Sequence, residues 1–399
     1  MAILVKLLKG TASSYSKNLS TDDFRGISIS PVLSKVFEHC VLRRFESYFI
    51  TSDKQFGFKR QTGCSHAIFT VRSVINHYTA HGSTVNLCAV DISKAFDRMN
   101  HFGLFCTLMD RLIPVNILQT LEDWFAKCFT CVKWGSVSSC FFQLTRGIRQ
   151  GGVLSPYLFA VYVDNVIATV EHKRLGCYYK SVCVSIIVYA DDIVLLSPSV
   201  TVLQELLHVC EEVLKNLDLF INPKKSVCMR IGPRFNMSCC DILSSNGSAL
   251  QWVDSIRYLG IYIVNARQFK CRYDHATASF YRAFNAVFGK IGRSSSEEVV
   301  LQLINSKCMP CLLYALEACP INKTQENSLE FTINRVLMKI FRTVSLDVIR
   351  ECRLCFGIPD IKVSVVKRKK KFLMKYVNSA NRLCQLFSVD ALSECNSYV

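Results

Sequence analysis

The chain has 399 residues, half of them hydrophobic, with 48 Lys and Arg against 31 Asp and Glu for a net charge of +17. That length supports a large core in two or three subdomains, and the basic excess predicts an anionic partner, nucleic acid before any other. No apolar run reaches the roughly 18–20 residues of a membrane span, and the 21 cysteines do not sit in a small secreted scaffold, so membrane and disulfide-framework classes are excluded.

The cysteines are odd in number, and no secretory leader precedes them: Met1–Val5 is apolar but short, and Lys6 and Lys9 follow it. A reduced intracellular protein is expected, in nucleus or cytoplasm. The pairs Cys128/Cys131, Cys308/Cys311 and Cys352/Cys355 lack histidines at zinc-finger spacing, which argues against zinc.

In chain order, Asn86–Ile92 reads as a buried strand that delivers an acid, Asp91, at its end, and Ser93–His101 continues at helical spacing. Arg149-Gln150-Gly151-Gly152 is a loop whose paired glycines permit close backbone approach. It leads into Ser155-Pro156, read as a capping serine with proline at the first helical position. Leu158, Val161, Tyr162, Asn165 and Val166 then fall on one helical face expected to pack beneath a sheet. The apolar run Val182–Val188 and the run Ile193–Leu196 flank Tyr189-Ala190-Asp191-Asp192, placing two acids at a tight hairpin turn. Asn222-Pro223-Lys224-Lys225 reads as a charged turn.

Beyond about Asn265 helices replace strands. Phe280, Phe284, Val287, Phe288 and Ile291 share one face; Ser295 with Glu298 reads as a capping box; Pro310 should bend the helix that follows; Ile333, Val336, Leu337 and Ile340 mark a third helix. The basic run Lys367-Arg368-Lys369-Lys370-Lys371 is read as a nucleic-acid contact or an import signal, and sequence does not separate the two.

The adjacent carboxylates carry the chemical argument. Like charges at a turn repel, and a hard divalent cation resolves the conflict; Mg²⁺ takes one or two carboxylates and completes its shell with water and phosphate oxygens. Asp91 ends another buried strand, and if the two strand ends share one metal pair, two Mg²⁺ ions about 3.5–4 Å apart, or Mn²⁺ as the alternative, would activate a primer 3′-hydroxyl and stabilise a pyrophosphate leaving group.

The order of these segments resembles the palm of reverse transcriptases, and their wording resembles the non-LTR (LINE-type, jockey/CR1-like) retrotransposon branch. The resemblance covers roughly Asp23–Ile263. Phe24–Ser28 with Leu33–Glu38 looks like the first fingers motif and Gln55–Lys59 like the second. Asp91–His101 is similar to motif A, Arg146–Pro156 to motif B, Tyr189–Asp192 to motif C, Asn222–Ser226 to motif D and Tyr258-Leu259-Gly260 to the primer grip.

The resemblance implies an α+β right hand, with fingers and an antiparallel palm backed by helices over 1–265, a helical thumb over 266–345 and a basic extension over 346–399. It implies metal binding by Asp91, the backbone carbonyl of Ile92, Asp191 and Asp192, and proton donation to pyrophosphate by Lys225, with Lys224 as rival. The incoming dNTP would meet Arg25, Gln150, Gly151 and Phe96, the last obstructing a 2′-hydroxyl or else serving as an ordinary core residue. Lys17 or Lys59 would assist. Asp97 and His101 are read as structural. The implied partners are an RNA template, a DNA primer and an endonuclease-bearing protein in trans, since the fingers motif begins within the first 25 residues and a partial element product is expected. The alternative is a catalytically inactive relic that only binds nucleic acid.

Overall fold

Two apolar runs rich in β-branched residues form the strands Ile186–Tyr189 and Asp192–Ser197. They pair antiparallel, Asp192 opposite Tyr189 and Leu195 opposite Ile186, and every residue between is buried outside the turn. Both faces of the hairpin are covered, which is why the sequence shows continuous apolar runs in place of alternation. The first run is shorter than expected. Val182–Cys183 pairs instead with Tyr178–Tyr179, and buried Ser185 breaks the run, its hydroxyl within reach of the Leu175 and Cys177 carbonyls.

This computed structural model describes residues 2–8, 24–292 and 294–398. The chain divides into two units: Met1–Arg60 with Cys88–Ser226 and Asp241–Gln251, and Gln61–Leu87 with Val227–Cys240 and Trp252–Val399. The class is α+β, as expected.

In the first unit, the later half of strand Val85–Asp91 lies beside Asp192–Ser197, so Asp91 and the acidic turn come from adjacent strands. Helices Ser155–Lys173 and Val200–Asn216 pack against each other. Leu158, Val161, Tyr162 and Val166 are buried as expected, but Asn165 is exposed, while Phe159, Ala160, Val163, Ile167 and Val170 are buried too. A helix covered on most sides shows no narrow apolar stripe, and this blurred the reading. A separate sheet places strand Ala2–Leu8 antiparallel to Phe24–Ile29 and parallel to Phe129–Trp134.

In the second unit, Ser255–Tyr258, Ile261–Val264 and Lys270–Arg272 form an antiparallel meander. Its first turn, Leu259-Gly260, has φ of 43° and 84°, the doubly left-handed pattern of a two-residue hairpin, in which glycine fits and leucine is strained. Helices follow. On Asp274–Ile291, Phe280 and Phe284 are buried and Val287, Phe288 and Ile291 half-buried; on Lys323–Phe341, Ile333, Val336, Leu337 and Ile340 are all buried. Ser295 forms no capping box: Ser296 is the N-cap of Glu297–Leu303, and its side chain makes no cap bond. A capping box does open Lys323–Phe341, through Asn322 and Gln325. Pro310 enters near the start of the short helix Met309–Leu312, after the π-turn Ile304–Cys308, whose wider ladder absorbs the missing N–H.

The basic run lies on helix Ile361–Val377 and is not uniformly solvated. Lys369 is buried, pairing with Glu394 at 3.3 Å and donating to the Tyr398 hydroxyl at 2.9 Å, while Arg368 pairs with Glu317 at 3.2 Å. Lys367 and Lys371 are exposed.

His66, on helix Cys64–Ala80, is buried; its ring stacks on Tyr376 at 5.8 Å and meets Phe372 edge-on at 5.3 Å, and its Nδ1 accepts from the Gly63 N–H at 3.2 Å. Burial, aided by the charge of Lys375, pushes its pKa down to about 4 from 6.5. With the folded value below the unfolded one, the neutral ring's contribution is complete above pH 6.5 and is lost as pH falls toward about 4. His66→Gln, whose carbonyl still accepts from Gly63, is expected to narrow the drop in unfolding midpoint between about pH 7.5 and 5. An unchanged drop in that variant would assign the acid sensitivity elsewhere.

Candidate active site

Asp91 ends its strand half-buried, and the next residues are laced to the turn expected near Asn222. The Asp91 N–H donates to Ser226 Oγ at 3.0 Å, the Asn222 N–H donates to the Asp91 carbonyl at 2.8 Å, and the Ser93 N–H donates to the Phe220 carbonyl at 2.8 Å. The Lys225 and Ser226 N–H groups fold back onto the Asn222 carbonyl, and the Asn222 side chain accepts from the Lys224 N–H at 3.2 Å. Asn-Pro therefore makes the turn the sequence promised, and it brings Lys225 to Asp91. Burial holds the Asp91 carboxyl above its ordinary value, Lys225 opposes that shift, and the negative charge of Asp191 adds to it.

These groups line one cleft of about 510 Å³ together with Phe24, Gly26, the stretch Ile92–Arg98, Gln150 and Asn222. Asp192 does not: it is exposed, opposite Tyr189 at the start of its strand, and is not part of the cleft wall. Lys224 is also outside it. Among the described residues no three acidic, histidine or cysteine side chains are gathered as a metal cluster. The donor chemistry nevertheless suits a hard cation, because two carboxylates near enough to disfavour each other's charge face the same space, and Mg²⁺ needs few protein ligands.

Phe96 reaches the cleft wall with its ring stacked on Phe159 at 4.3 Å and edge-on to Phe58 at 6.3 Å. The Gln150 side chain donates to Asp97 Oδ1 at 3.2 Å, and the Gln150 backbone carbonyl accepts from the Ser28 N–H at 2.7 Å. Gly151 has φ of 118°, and a β-carbon there would come within 2.5 Å of the Ser28 carbonyl oxygen, so the close approach expected of this loop is real and requires glycine. The His101 Nε2–H donates to the Gly147 carbonyl at 2.7 Å, and burial lowers its pKa, which fits a neutral scaffold imidazole.

Arg25 stands on strand Phe24–Ile29 and its side chain lies outside the described portion, as does all of Lys17. Lys59 is occupied locally, donating to the Thr51 and Ser52 carbonyls at 2.8 and 2.7 Å. Tyr258, Leu259 and Gly260 belong to the second unit, at the hairpin described above; Tyr314 donates to the Leu259 carbonyl at 3.0 Å and leaves no room for a β-carbon on Gly260.

Ser155 is not the cap that Ser155-Pro156 leads one to expect at the start of helix Ser155–Lys173. Leu154 is the N-cap position, without a side-chain cap. The cap comes from Glu38 on helix Val32–Arg44: its buried carboxylate accepts from the Val153 N–H at 2.5 Å and the Leu154 N–H at 2.9 Å, and lies 3.6 Å from Arg149. A charge-assisted pair of this kind pins the loop that carries Gln150. The available signal was an acid on the same helix face as Val41 and Leu42, where a carboxylate needs a partner.

The family described as reverse transcriptase (RNA-dependent DNA polymerase) matches residues 14–263, more than half of the chain. The chain is 27% identical over 258 residues to the Pol polyprotein of the type-2 retrotransposable element R2DM of Drosophila melanogaster, covering 62% of this chain and 24% of that protein. It is 26% identical over 395 residues to the RNA-directed DNA polymerase from mobile element jockey of Drosophila funebris, covering 94% of this chain and 41% of that protein. The chain thus spans less than half the length of these relatives. A solved RNA-dependent RNA polymerase of a human picorbirnavirus is 12% identical with a TM-score of 0.48, covering 98% of this chain and 65% of that one.

Proposed function

The chain belongs to the reverse transcriptase (RNA-dependent DNA polymerase) family, and from that membership we propose that it is the RNA-directed DNA polymerase of a non-LTR retrotransposon, adding dNTPs to a DNA primer 3′-hydroxyl on an RNA template. The observation that carries the reading is the convergence of Asp91, Asp191 and Lys225 on one cleft of about 510 Å³, within the size range of small-molecule sites.

In this reading Asp91, the Ile92 carbonyl and Asp191 on the cleft wall, with Asp192 beside it in sequence, would hold two Mg²⁺ ions, or Mn²⁺ in their place. When bound, the ions supply charge stabilisation for the attacking and leaving oxygens. Lys225 faces the same space and gives a proton to the departing pyrophosphate. Gln150 and Gly151 seat the nucleotide, Phe96 obstructs a 2′-hydroxyl, Arg25 holds the triphosphate, and Tyr258-Leu259-Gly260 positions the primer end. The organisation proposed is fingers and palm over 1–265, a thumb over 266–345 and a basic extension over 346–399. A second protein nicks the target in trans, and the enzyme works in cytoplasm and nucleus. No helix among the described residues is long and apolar enough to cross a membrane.

The test is extension of oligo(dT) on poly(rA) by the purified chain with Mg²⁺. Template-dependent incorporation of dTTP is the expected result, and a folded protein that binds the duplex without extending it would favour the relic. Binding should also follow the +17 charge: log affinity is expected to fall linearly with log salt, by about 0.7–0.9 per phosphate neutralised. Titrations at several salt concentrations check this, and a flat dependence would contradict an electrostatic grip.

A further inference from the structure

The turn that carries Asp191 is held by a residue distant in sequence. Lys54–Phe56 runs parallel to the strand Ile186–Tyr189: the Val188 N–H donates to the Lys54 carbonyl at 2.9 Å, and the Phe56 N–H donates to the Val188 carbonyl at 2.8 Å. This aligns Gln55, which is fully buried, with Ala190. Its Oε1 accepts from the Ala190 N–H at 2.9 Å and the Gly57 N–H at 2.9 Å, and its Nε2 lies 3.4 Å from the Ala190 carbonyl as donor. The amide's orientation follows from its neighbours, since a flipped carboxamide would set its NH₂ against two donors.

Ala190 has φ of 58°, a left-handed conformation that a residue with a β-carbon adopts at a cost. Gly57 closes the arrangement: a β-carbon there would fall 2.5 Å from the Ala190 nitrogen. A strained alanine is therefore gripped at both its N–H and its carbonyl, one residue before the carboxylate on the cleft wall.

We propose that Gln55 is a positioning residue for the metal-binding carboxylate Asp191, holding Ala190 in the left-handed conformation that aims the next side chain into the cleft. The inference rests on the metal-dependent reading of that cleft. It makes the second fingers segment part of the metal site without touching a metal.

The test uses the full chain and Mn²⁺ as probe, with binding read by electron paramagnetic resonance and the unfolding midpoint measured alongside. Gln55→Met, which keeps the shape and removes the amide, is expected to weaken Mn²⁺ binding by about 10- to 100-fold, the usual effect of losing an outer partner of a ligand. Ala190→Gly removes the conformational strain, so Gln55→Met in that background should lose several-fold less affinity. Wild-type Mn²⁺ affinity in Gln55→Met, or an equal loss in both backgrounds, would overturn the proposal and leave Gln55 as packing alone. If Gln55→Met unfolds, Gln55→Asn keeps the amide, withdraws it by one methylene and reads the same quantities. A native chain that binds no Mn²⁺ would instead refute the metal-dependent reading itself, and the inference with it.

Discussion

Asp191→Ala is expected to lower primer extension by about a thousandfold or more, because an ion-binding carboxylate at the reacting oxygens supplies several kcal/mol of transition-state stabilisation. Affinity for the primer–template should change less than about twofold, since one charge among many phosphate contacts is altered. The unfolding midpoint is expected to hold or rise. Burial is the main cause that holds the Asp91 carboxyl above its ordinary value, and the charge of Asp191 adds to it, so removing Asp191 relieves part of that shift and some like-charge repulsion in the folded state. That sign separates a catalytic role from a structural one: a variant that loses activity together with its unfolding midpoint or its nucleic-acid affinity would sink the assignment. Asp192→Ala is the graded companion. Asp192 is exposed and outside the cleft wall, so its loss should cost less than that of Asp191.

What the sequence disclosed and what it hid divide along the range of the interactions. The acidic hairpin was legible because both strands are covered and therefore apolar throughout, and the Lys225 turn was legible because Asn-Pro specifies a turn locally. The buried face of helix Lys323–Phe341 was legible for the same reason: its periodicity is a property of adjacent turns. The supports of the site were not. Glu38 reaches Val153 across 115 residues and Gln55 reaches Ala190 across 135, and no local pattern announces either partner.

Local signals also misled where a distant group supplied the same need. Ser155 looked like a cap, but Glu38 had already satisfied the N–H groups ahead of it. The run Lys367–Lys371 reads as a nucleic-acid contact or an import signal, but Lys369 is buried against Glu394 and Arg368, though exposed, is paired with Glu317. In each case the residue type was right for its task and the partner lay elsewhere in the fold.

If Phe96 is the sugar gate proposed above, Phe96→Val is expected to narrow the discrimination of dNTP over NTP, as a ratio of kcat/KM, by at least about 10- to 200-fold, the range that a single methylene commands in a pocket. The ring is half-buried at the cleft wall, stacked at 4.3 Å on Phe159 and edge-on to Phe58. Such backing prevents the side chain from swinging aside when a 2′-hydroxyl arrives, and a valine at the same backbone position ends short of the space the ring occupies. The same contacts would exist if Phe96 were only packing, so the two roles must be separated by what changes. A packing residue lost from a half-covered site lowers the unfolding midpoint and slows both nucleotides alike. A gate changes their ratio, and Phe96→Tyr, which keeps the bulk, should preserve it. Incorporation of rUTP opposite poly(rA) by Phe96→Val, with dTTP incorporation near the native rate, is the outcome that assigns the gate. An unaltered ratio beside a lowered unfolding midpoint would return Phe96 to the core.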